Sequence, residues 1–151
     1  MERAARRRQK ILKPIVIDTS ATACWCIPDE QHDIGDFHYT QACRGEGPYH
    51  APALWLWEIG NTLTMAYRRN RLPKAHFERG LELVTMAGVE IDPIPSFHRR
   101  AQILRLAEAH RLTYYDATYL ELVVRLNGTL VSRDKALVAA AQSCSIPCVQ
   151  F

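Results

Sequence analysis

Short apolar runs alternate with longer amphipathic segments along the chain. Residues 14–17 form the first apolar run, which is rich in β-branched side chains and predicts a buried strand. Similar runs predict strands over 49–51, 89–94, 129–132 and 148–151. The segments between them have helical spacing, and prolines or glycines mark several of their ends. They predict helices over 19–27, 30–43, 52–69, 73–88, 96–111, 113–126 and 134–143.

This alternation of strands and helices predicts the fold class. Strands that are separated by helices pair in parallel, because each helix carries the chain back across the sheet. We therefore expect an α/β fold with a mostly parallel central sheet flanked by helices. The length of 151 residues corresponds to one domain, which we place at residues 14–151. Hydrophobic residues make up 48% and charged residues 23%, which argues against disorder, collagen and coiled coil.

The basic residues are concentrated at the N-terminus. Residues 1–13 carry six basic side chains against Glu2 alone, whereas the remainder has thirteen basic and fifteen acidic residues. We expect this segment to be a flexible basic arm, which could bind nucleic acid by neutralising phosphates or could be only a solvated tail. Deleting residues 1–13 would abolish binding if the arm were the functional element.

Nothing in the chain predicts export or membrane insertion. No apolar run approaches the ~20 residues that span a bilayer, and the run after the arm is interrupted by Lys13 and Pro14. The five cysteines include no C-x-x-C pair, so neither a disulfide framework nor a zinc ribbon is indicated. We therefore expect a cytoplasmic protein without membrane association.

Four acidic residues stand among apolar neighbours, where a carboxylate is costly unless it is paired, hydrogen-bonded or bound to metal. Asp18 and Asp134 follow predicted strands, Asp116 opens a helix, and Glu58 lies within one. A parallel sheet could bring all four to the edge where its strands end. Four adjacent carboxylates repel one another unless a divalent cation neutralises them, and such oxygen ligands suit Mg²⁺ or Mn²⁺. Each aspartate could instead be a helix N-cap, and Glu58 could be solvated.

Other chemistries find little support. The six histidines form no H-x-x-x-H pair, and neither a phosphate-binding glycine loop nor a G-x-S-x-G motif occurs. The remaining acids fit solvated surfaces. We assign Asp29, Glu30, Asp33 and Asp36 to a polar helix, and Glu78, Glu82, Glu108 and Glu121 to outer helix faces.

At the four acids the sequence resembles the PIN-domain family, and within it the VapC-like toxin ribonucleases. Asp18-Thr-Ser-Ala resembles the first acidic motif of that family, and Glu58-Ile-Gly-Asn the second. Asp116-Ala-Thr-Tyr resembles the third, and Ser132-Arg-Asp-Lys-Ala-Leu the fourth, with serine where threonine is usual. The motifs have the family's order and spacing over residues 14–151.

The resemblance implies a metal-dependent ribonuclease. Asp18, Glu58, Asp116 and Asp134 would be the catalytic and metal-binding residues, with Asp18 and Asp116 as the main direct ligands of Mg²⁺ or Mn²⁺. A metal-activated water would then hydrolyse the RNA phosphodiester. The alternative is a PIN-like module that binds RNA or protein without cleaving. An assay for divalent-metal-dependent RNA cleavage discriminates between the two.

Further residues are expected around the acids. We expect Thr19, Ser20, Asn61 and Ser132 to orient the carboxylates as a second layer of contacts. Basic residues should rim an acidic pocket that binds RNA. The candidates are Arg68, Arg69, Arg71, Arg133 and Lys135.

The segment from Leu54 to Trp57 is apolar nearly all round a helix, because Trp55 and Trp57 cannot face the same side. Such a helix is usually buried on more than one face. We therefore expect one face to lie in a groove or subunit interface. The family resemblance implies a homodimer, and an antitoxin protein whose bound segment places a basic side chain near the acids.

Overall fold

The computed structural model describes residues 12–151, and these form a parallel sheet between helices. The predicted basic arm comprises residues 1–13, of which 1–11 lie outside the described part, so the arm stays a prediction. The strands are β1 (Ile15–Ile17), β2 (Tyr49–Pro52), β3 (Glu90–Asp92), β4 (Thr129–Ser132) and β5 (Cys148–Gln150). The helices are α1 (Thr19–Cys26), α2 (Asp33–Cys43), α3 (Leu54–Arg68), α4 (Phe77–Met86), α5 (Phe97–His110), α6 (Tyr114–Arg125) and α7 (Lys135–Ser143). The α/β fold with a parallel central sheet is confirmed.

The order of the strands creates a switch point beside β1. The sheet runs β3-β2-β1-β4-β5, and every pair of neighbours is parallel. From β1 the chain proceeds to one side through β2 and β3, and then returns to the other side of β1 for β4 and β5. Ligands of open α/β sheets bind where the connections diverge in this way, outside the carboxyl ends of the strands. Here that position lies beyond Ile17 and Ser132, the last residues of β1 and β4.

The hydrophobic core covers both faces of this central strand pair. Val16, Ile17, Leu130 and Val131 are fully or almost fully buried, as their apolar pattern predicts for a strand covered on both faces. Helix α1 packs against α2, α3 and α4, whereas α6 packs against α5 and α7. The resulting core holds the carboxyl ends of β1 and β4 rigidly side by side.

The expectation that Glu121 lies on an outer helix face is wrong. Its side chain is buried, with 6% of the residue exposed, because α6 contacts β1, β2, α5 and α7 and has little free surface. Glu121 accepts a hydrogen bond from Arg125 at 2.8 Å, and Arg99 lies within 3.4 Å of it. Both arginines also pair with Asp92 at the end of β3. Two acids and two arginines thus pair with one another between β3, α5 and α6, although the Nε of Arg99 is buried without a hydrogen bond among the described residues.

Asp29 and Glu30 lie outside the predicted polar helix, although Asp29 is exposed to solvent as expected. They lie in a separate short 3₁₀ turn, Pro28–Glu30, because Pro28 interrupts the helical pattern. The guanidinium of Arg71 donates to Asp29 at 2.8 and 2.9 Å and to Glu30 at 2.7 Å. The sequence separation of more than 40 residues hides this contact from any local pattern.

Two glycines in neighbouring helices provide a matched test of the packing. A Cβ at Gly80 of α4 would lie 2.6 Å from a Leu63 methyl carbon, whereas a Cβ at Gly60 of α3 would meet no atom within 4 Å. We expect Gly80→Ala to lower the free energy of unfolding by about 1–3 kcal/mol through overpacking. Gly60→Ala should raise it by up to about 1 kcal/mol by removing backbone freedom from the unfolded chain.

Urea unfolding of both variants, followed by circular dichroism, measures these changes. Equal effects of the two substitutions would contradict the close approach of α4 to α3.

Candidate active site

The carboxylate of Asp18 is the most buried of the four predicted acids. Asp18 follows β1 and is the N-cap of α1, where its Oδ1 accepts a hydrogen bond from the Ala21 amide at 3.0 Å. Only 4% of the residue is exposed. The Ser20 hydroxyl donates to both oxygens, at 2.7 and 2.9 Å, and the Ser132 hydroxyl donates to Oδ2. A cap and two serines therefore hold this carboxylate in one orientation.

The two serines also join the end of β1 to the end of β4. Ser132 is fully buried and its Oγ accepts from the Asp134 amide at 2.9 Å, while Ser20 Oγ accepts from the Arg133 amide at 2.8 Å. Asp134 in turn caps α7 through the Leu137 amide, 2.9 Å from its Oδ1. Ser20 and Ser132 therefore contact Asp18 directly, and Asp134 lies in the loop that follows β4.

Glu58 approaches from α3 and is held by two hydroxyl groups. Tyr119 donates to its Oε1 at 2.6 Å and Thr19 donates to the same oxygen at 3.2 Å. Thr19 belongs to the first turn of α1 and Tyr119 is a buried residue of α6. These contacts connect three helices around one carboxylate oxygen, so Glu58 is not the solvated helix residue that the sequence left open.

Asp116 lies in the first turn of α6. Thr113 caps this helix by accepting from the Asp116 amide at 3.1 Å, and its hydroxyl donates to Asp116 Oδ2 at 2.9 Å. The spacing is that of a capping box, but Asp116 accepts from the Thr113 hydroxyl and not from its backbone N–H. Asp116 is therefore the third residue of the helix and not its N-cap.

Burial and mutual repulsion raise the pKa values of three acids. Burial raises the pKa of Asp18 from 3.8 to about 6, against hydrogen bonds from Ser132, Ala21 and Ser20, and the charge of Asp134 contributes to the rise. Burial and the charge of Asp116 raise the pKa of Glu58. Burial and the charge of Asp134 raise the pKa of Asp116. Each carboxylate therefore interacts electrostatically with a neighbouring one, in the order Asp18, Asp134, Asp116 and Glu58.

The oxygen atoms that remain open fit a hard cation. Among residues 12–151, the hydrogen-bond donors contact a single oxygen each of Glu58, Asp116 and Asp134, which leaves the second oxygen of each free. Carboxylate oxygens are the ligands that Mg²⁺ and Mn²⁺ prefer. Within the same range, however, no three His, Cys, Asp or Glu side chains converge closely enough in this conformation to enclose an ion. The donor chemistry fits, and the acids stand somewhat apart.

Asn61 lies near the acids but in a different setting from Thr19, Ser20 and Ser132. It is exposed, one helical turn beyond Glu58, and it lines a cavity of about 400 Å³ together with Thr19 and Glu58. A second cavity of about 350 Å³ adjoins it and includes Ser20 and Arg133. Both cavities are open to solvent along the edge that carries the acids.

The predicted basic residues differ in their surroundings. Arg133 lies at the site, where its guanidinium is 3.4 Å from Glu30 and 5.5 Å from the centre of the Phe151 ring. Lys135 is exposed at the start of α7, and Arg68 and Arg69 are exposed at the end of α3. Arg71 is committed to Asp29 and Glu30 and is a poor candidate for RNA contact.

Sequence reasoning gave no role to Tyr119 or Thr113, although both hold predicted acids. Tyr119 follows Asp116 by three residues, so a helix places both on one side, and Thr113 precedes Asp116 by the spacing of a capping box. Burial, together with the charge of Glu58, raises the pKa of Tyr119 and keeps its hydroxyl protonated. The spacing could have indicated both residues, but it could not show which acid Tyr119 contacts.

Comparison with known proteins agrees with this architecture. The family model described as "PIN domain" matches residues 15–142. The protein is 28% identical over 127 residues to "Ribonuclease VapC3" of Pyrobaculum aerophilum, covering 82% of this chain and 91% of that one. The crystal structure of PAE2754 from Pyrobaculum aerophilum has a TM-score of 0.67 with 23% identity and covers 86% of both chains. The chain belongs to the PIN-domain family and is similar to a VapC ribonuclease, which confirms the predicted family resemblance.

The raised pKa of Asp18 makes a prediction about stability in the absence of metal. Because folding raises the pKa from 3.8 to about 6, the protonated acid stabilises the fold at low pH, and this contribution is lost as the pH rises through about 6. Asp18→Asn removes the titration. The free energy of unfolding of this variant, relative to wild type, should increase by about 2–3 kcal/mol between pH 4 and pH 7.

Urea unfolding in EDTA across this pH range measures the difference. Glu108→Gln, a change at an exposed acid of α5, is the matched control and should show no such trend. A difference between Asp18→Asn and wild type that does not vary with pH would contradict the burial of an ionisable carboxyl at this position.

Proposed function

We propose that the protein is a divalent-metal-dependent ribonuclease and the toxin component of a toxin–antitoxin pair. The observation that carries the proposal is the position of Asp18 and Asp134 beyond the carboxyl ends of β1 and β4, at the switch point of a PIN fold, with Glu58 hydrogen-bonded to Thr19 beside Asp18. The name of the relative VapC3 identifies that protein as a ribonuclease, and the similarity covers most of both chains. RNA is accordingly the proposed substrate.

Mg²⁺ or Mn²⁺ is the proposed cofactor, and the four acids are its proposed ligands. Asp18 and Asp116 serve as the main direct ligands, while Glu58 and Asp134 complete the set. Ser20, Ser132 and Ala21 make four contacts with the Asp18 carboxylate, two on each oxygen, so a metal ion at Asp18 would take the place of one of them. When bound, the ion would neutralise the acids, polarise the phosphodiester and lower the pKa of water.

The other polar residues act by fixing the acids. Ser20 and Ser132 prevent rotation of the Asp18 carboxylate, and their bonds to the Arg133 and Asp134 amides keep the β4 loop in register with it. Tyr119 and Thr19 donate hydrogen bonds to one oxygen of Glu58, which directs the other oxygen away from them. Such outer contacts typically change metal affinity or activity by about 10–100-fold when they are removed.

Basic side chains near the site would attract the RNA phosphates that the acids repel. Arg133 stands beside the acids, and Lys135, Arg68 and Arg69 offer further positive charge at greater exposure. We propose that these residues contact RNA phosphates on either side of the cleaved bond. Glu30 moderates the charge of Arg133 and holds its guanidinium at the cavity.

Protein partners form the remaining part of the proposal. A cognate antitoxin would cover the acids with a segment that carries a basic side chain, competing with metal and RNA for the same charges. A homodimer would cover apolar surface of α3, where Leu56 and Tyr67 are exposed and lie eleven residues apart on one side of the helix. No described helix has the length and apolar character that a membrane span requires, and we propose a cytoplasmic location.

Cleavage depends on the individual acids if the proposal is correct. We expect Asp18→Asn and Asp116→Asn each to reduce metal-dependent cleavage of RNA at least about 100-fold, because ligand loss should exceed the effect of losing an outer contact. Both variants should remain folded, since each substitution relieves repulsion between carboxylates. Cleavage of a labelled RNA with Mg²⁺ or Mn²⁺, and with EDTA, measures the effect.

Glu108→Gln again provides the control and should retain full activity. Full activity of either aspartate variant would reject the assignment of the acids. Absence of cleavage by the wild type with both metals would favour the alternative, a PIN-like binding module.

Growth of cells tests the role as a toxin. Expression of the wild type alone should arrest growth, and Glu58→Ala should relieve the arrest, since it removes one acid and the acceptor of the Tyr119 and Thr19 hydrogen bonds. Co-expression of the product of an adjacent gene should relieve it as well. Normal growth with abundant folded wild-type protein would contradict the toxin assignment without affecting the cleavage assay.

A further inference from the structure

Two exposed aromatic side chains stand beside the acids. Trp57 on α3 is 68% exposed and Tyr115 on α6 is 60% exposed, although the other two tryptophans of the chain, Trp25 and Trp55, are core residues at 7% and 2%. Trp57 immediately precedes Glu58, and Tyr115 immediately precedes Asp116. Each aromatic residue is therefore the chain neighbour of a proposed metal ligand.

The aromatic pair connects the acidic cavity to an apolar cleft. Trp57, Tyr115 and Leu54 line both the 400 Å³ cavity that contains Glu58 and a cleft of about 210 Å³. Prolines and aliphatic groups complete the cleft, including Pro52, Ile94 and Pro95. Since the 350 Å³ cavity of Arg133 shares Thr19 and Thr62 with the Glu58 cavity, the three recesses form one series. It leads from a basic end at Arg133, past Glu58, to an aromatic end at Trp57 and Tyr115.

The chemistry of the aromatic end favours a flat, uncharged group. Its two charged residues, Asp92 and Arg99, pair with each other, so the cleft offers no free cation to a phosphate. Exposed aromatic faces bind nucleobases by stacking in a manner that tolerates any base. Asn61 lies one helical turn from Trp57, on nearly the same side of α3, and presents an amide that can donate to and accept from the edge of a base.

We infer that Trp57 and Tyr115 form a stacking site for a nucleobase of the RNA substrate, next to the phosphate that is cleaved. The inference rests on the proposed ribonuclease function and specifies its substrate further. A base can reach the cleft only when it is unstacked from its neighbours, so the site selects single-stranded RNA over a duplex. The aromatic end therefore contributes to substrate binding, while the acids perform the hydrolysis.

Tryptophan fluorescence reports on this site directly, because Trp57 is the exposed member of the three tryptophans. A short single-stranded oligoribonucleotide is added in Mg²⁺ to Asp116→Asn, in which cleavage is prevented. We expect quenching of the emission, and loss of the quench when Trp57→Phe is added to the same protein. Trp57→Ala and Tyr115→Ala should each weaken binding about tenfold, as measured by anisotropy of a labelled oligonucleotide.

Phe37→Ala is the matched control. Phe37 is 57% exposed on α2 and lines none of the three recesses, so its removal should leave the affinity unchanged. In the cleavage assay with the native acids, Trp57→Ala should raise KM about tenfold and leave kcat within about twofold, since the ring binds a base and does not touch the reacting phosphate. An oligonucleotide that lacks the base beside the cleaved bond should erase the difference between Trp57→Ala and wild type.

The outcomes separate this inference from the function on which it rests. Cleavage by the wild type with an unchanged KM in Trp57→Ala would overturn the stacking site and leave the ribonuclease intact. Conversion of a dimer to a monomer by Trp57→Ala in light scattering, with unchanged oligonucleotide affinity, would also overturn it and assign the surface to a subunit interface. Lack of cleavage by the wild type would reject the ribonuclease proposal, and the fluorescence quench would still decide the stacking site.

Discussion

The burial of the Asp18 carboxylate is the constraint around which the site is organised. A carboxylate with 4% exposure requires donors, and the chain supplies them from its own cap, from Ser20 and from Ser132 across the sheet. The same serines accept amide protons of the β4 loop, so the ends of β1 and β4 cannot shift independently. Because these two strands border the switch point, fixing one carboxylate also fixes the edge that presents the others.

Repulsion between neighbouring acids opposes folding, and hydrogen bonds to each acid offset part of this cost. Each acid has hydrogen-bond donors on at least one oxygen, yet burial and neighbouring charge still raise the pKa values of Asp18, Glu58 and Asp116. A divalent cation, the proposed cofactor, would relieve this repulsion and stabilise the folded protein. The Asp92, Glu121, Arg99 and Arg125 cluster shows the other solution, in which acids at the end of β3 and on α6 meet arginines.

The surroundings of the acids are chemically asymmetric. Arg133 and Ser20 line the recess on one side, whereas Trp57, Tyr115 and Leu54 line it on the other. The side with Arg133 suits a charged backbone, and the side with Trp57 and Tyr115 suits a flat base. On α3 and on α6, one of the four acids directly follows an exposed aromatic residue, so the same two helices support the acids and the apolar cleft.

The sequence by itself determined the alternation of strands and helices, the parallel sheet and the family, because hydrophobic periodicity, prolines and short acidic motifs are local signals. It also singled out the four acids, whose roles as ligands stay a prediction, and Ser20 and Ser132, whose contacts with Asp18 the structure contains. Only the tertiary structure decided the pairing of Glu121 with Arg99 and Arg125, the pairing of Arg71 with Asp29, and the bond from Tyr119 to Glu58. Apart from the Glu121–Arg125 bond within α6, these contacts join residues 22 to 61 positions apart, and which side chains meet depends on how whole helices pack.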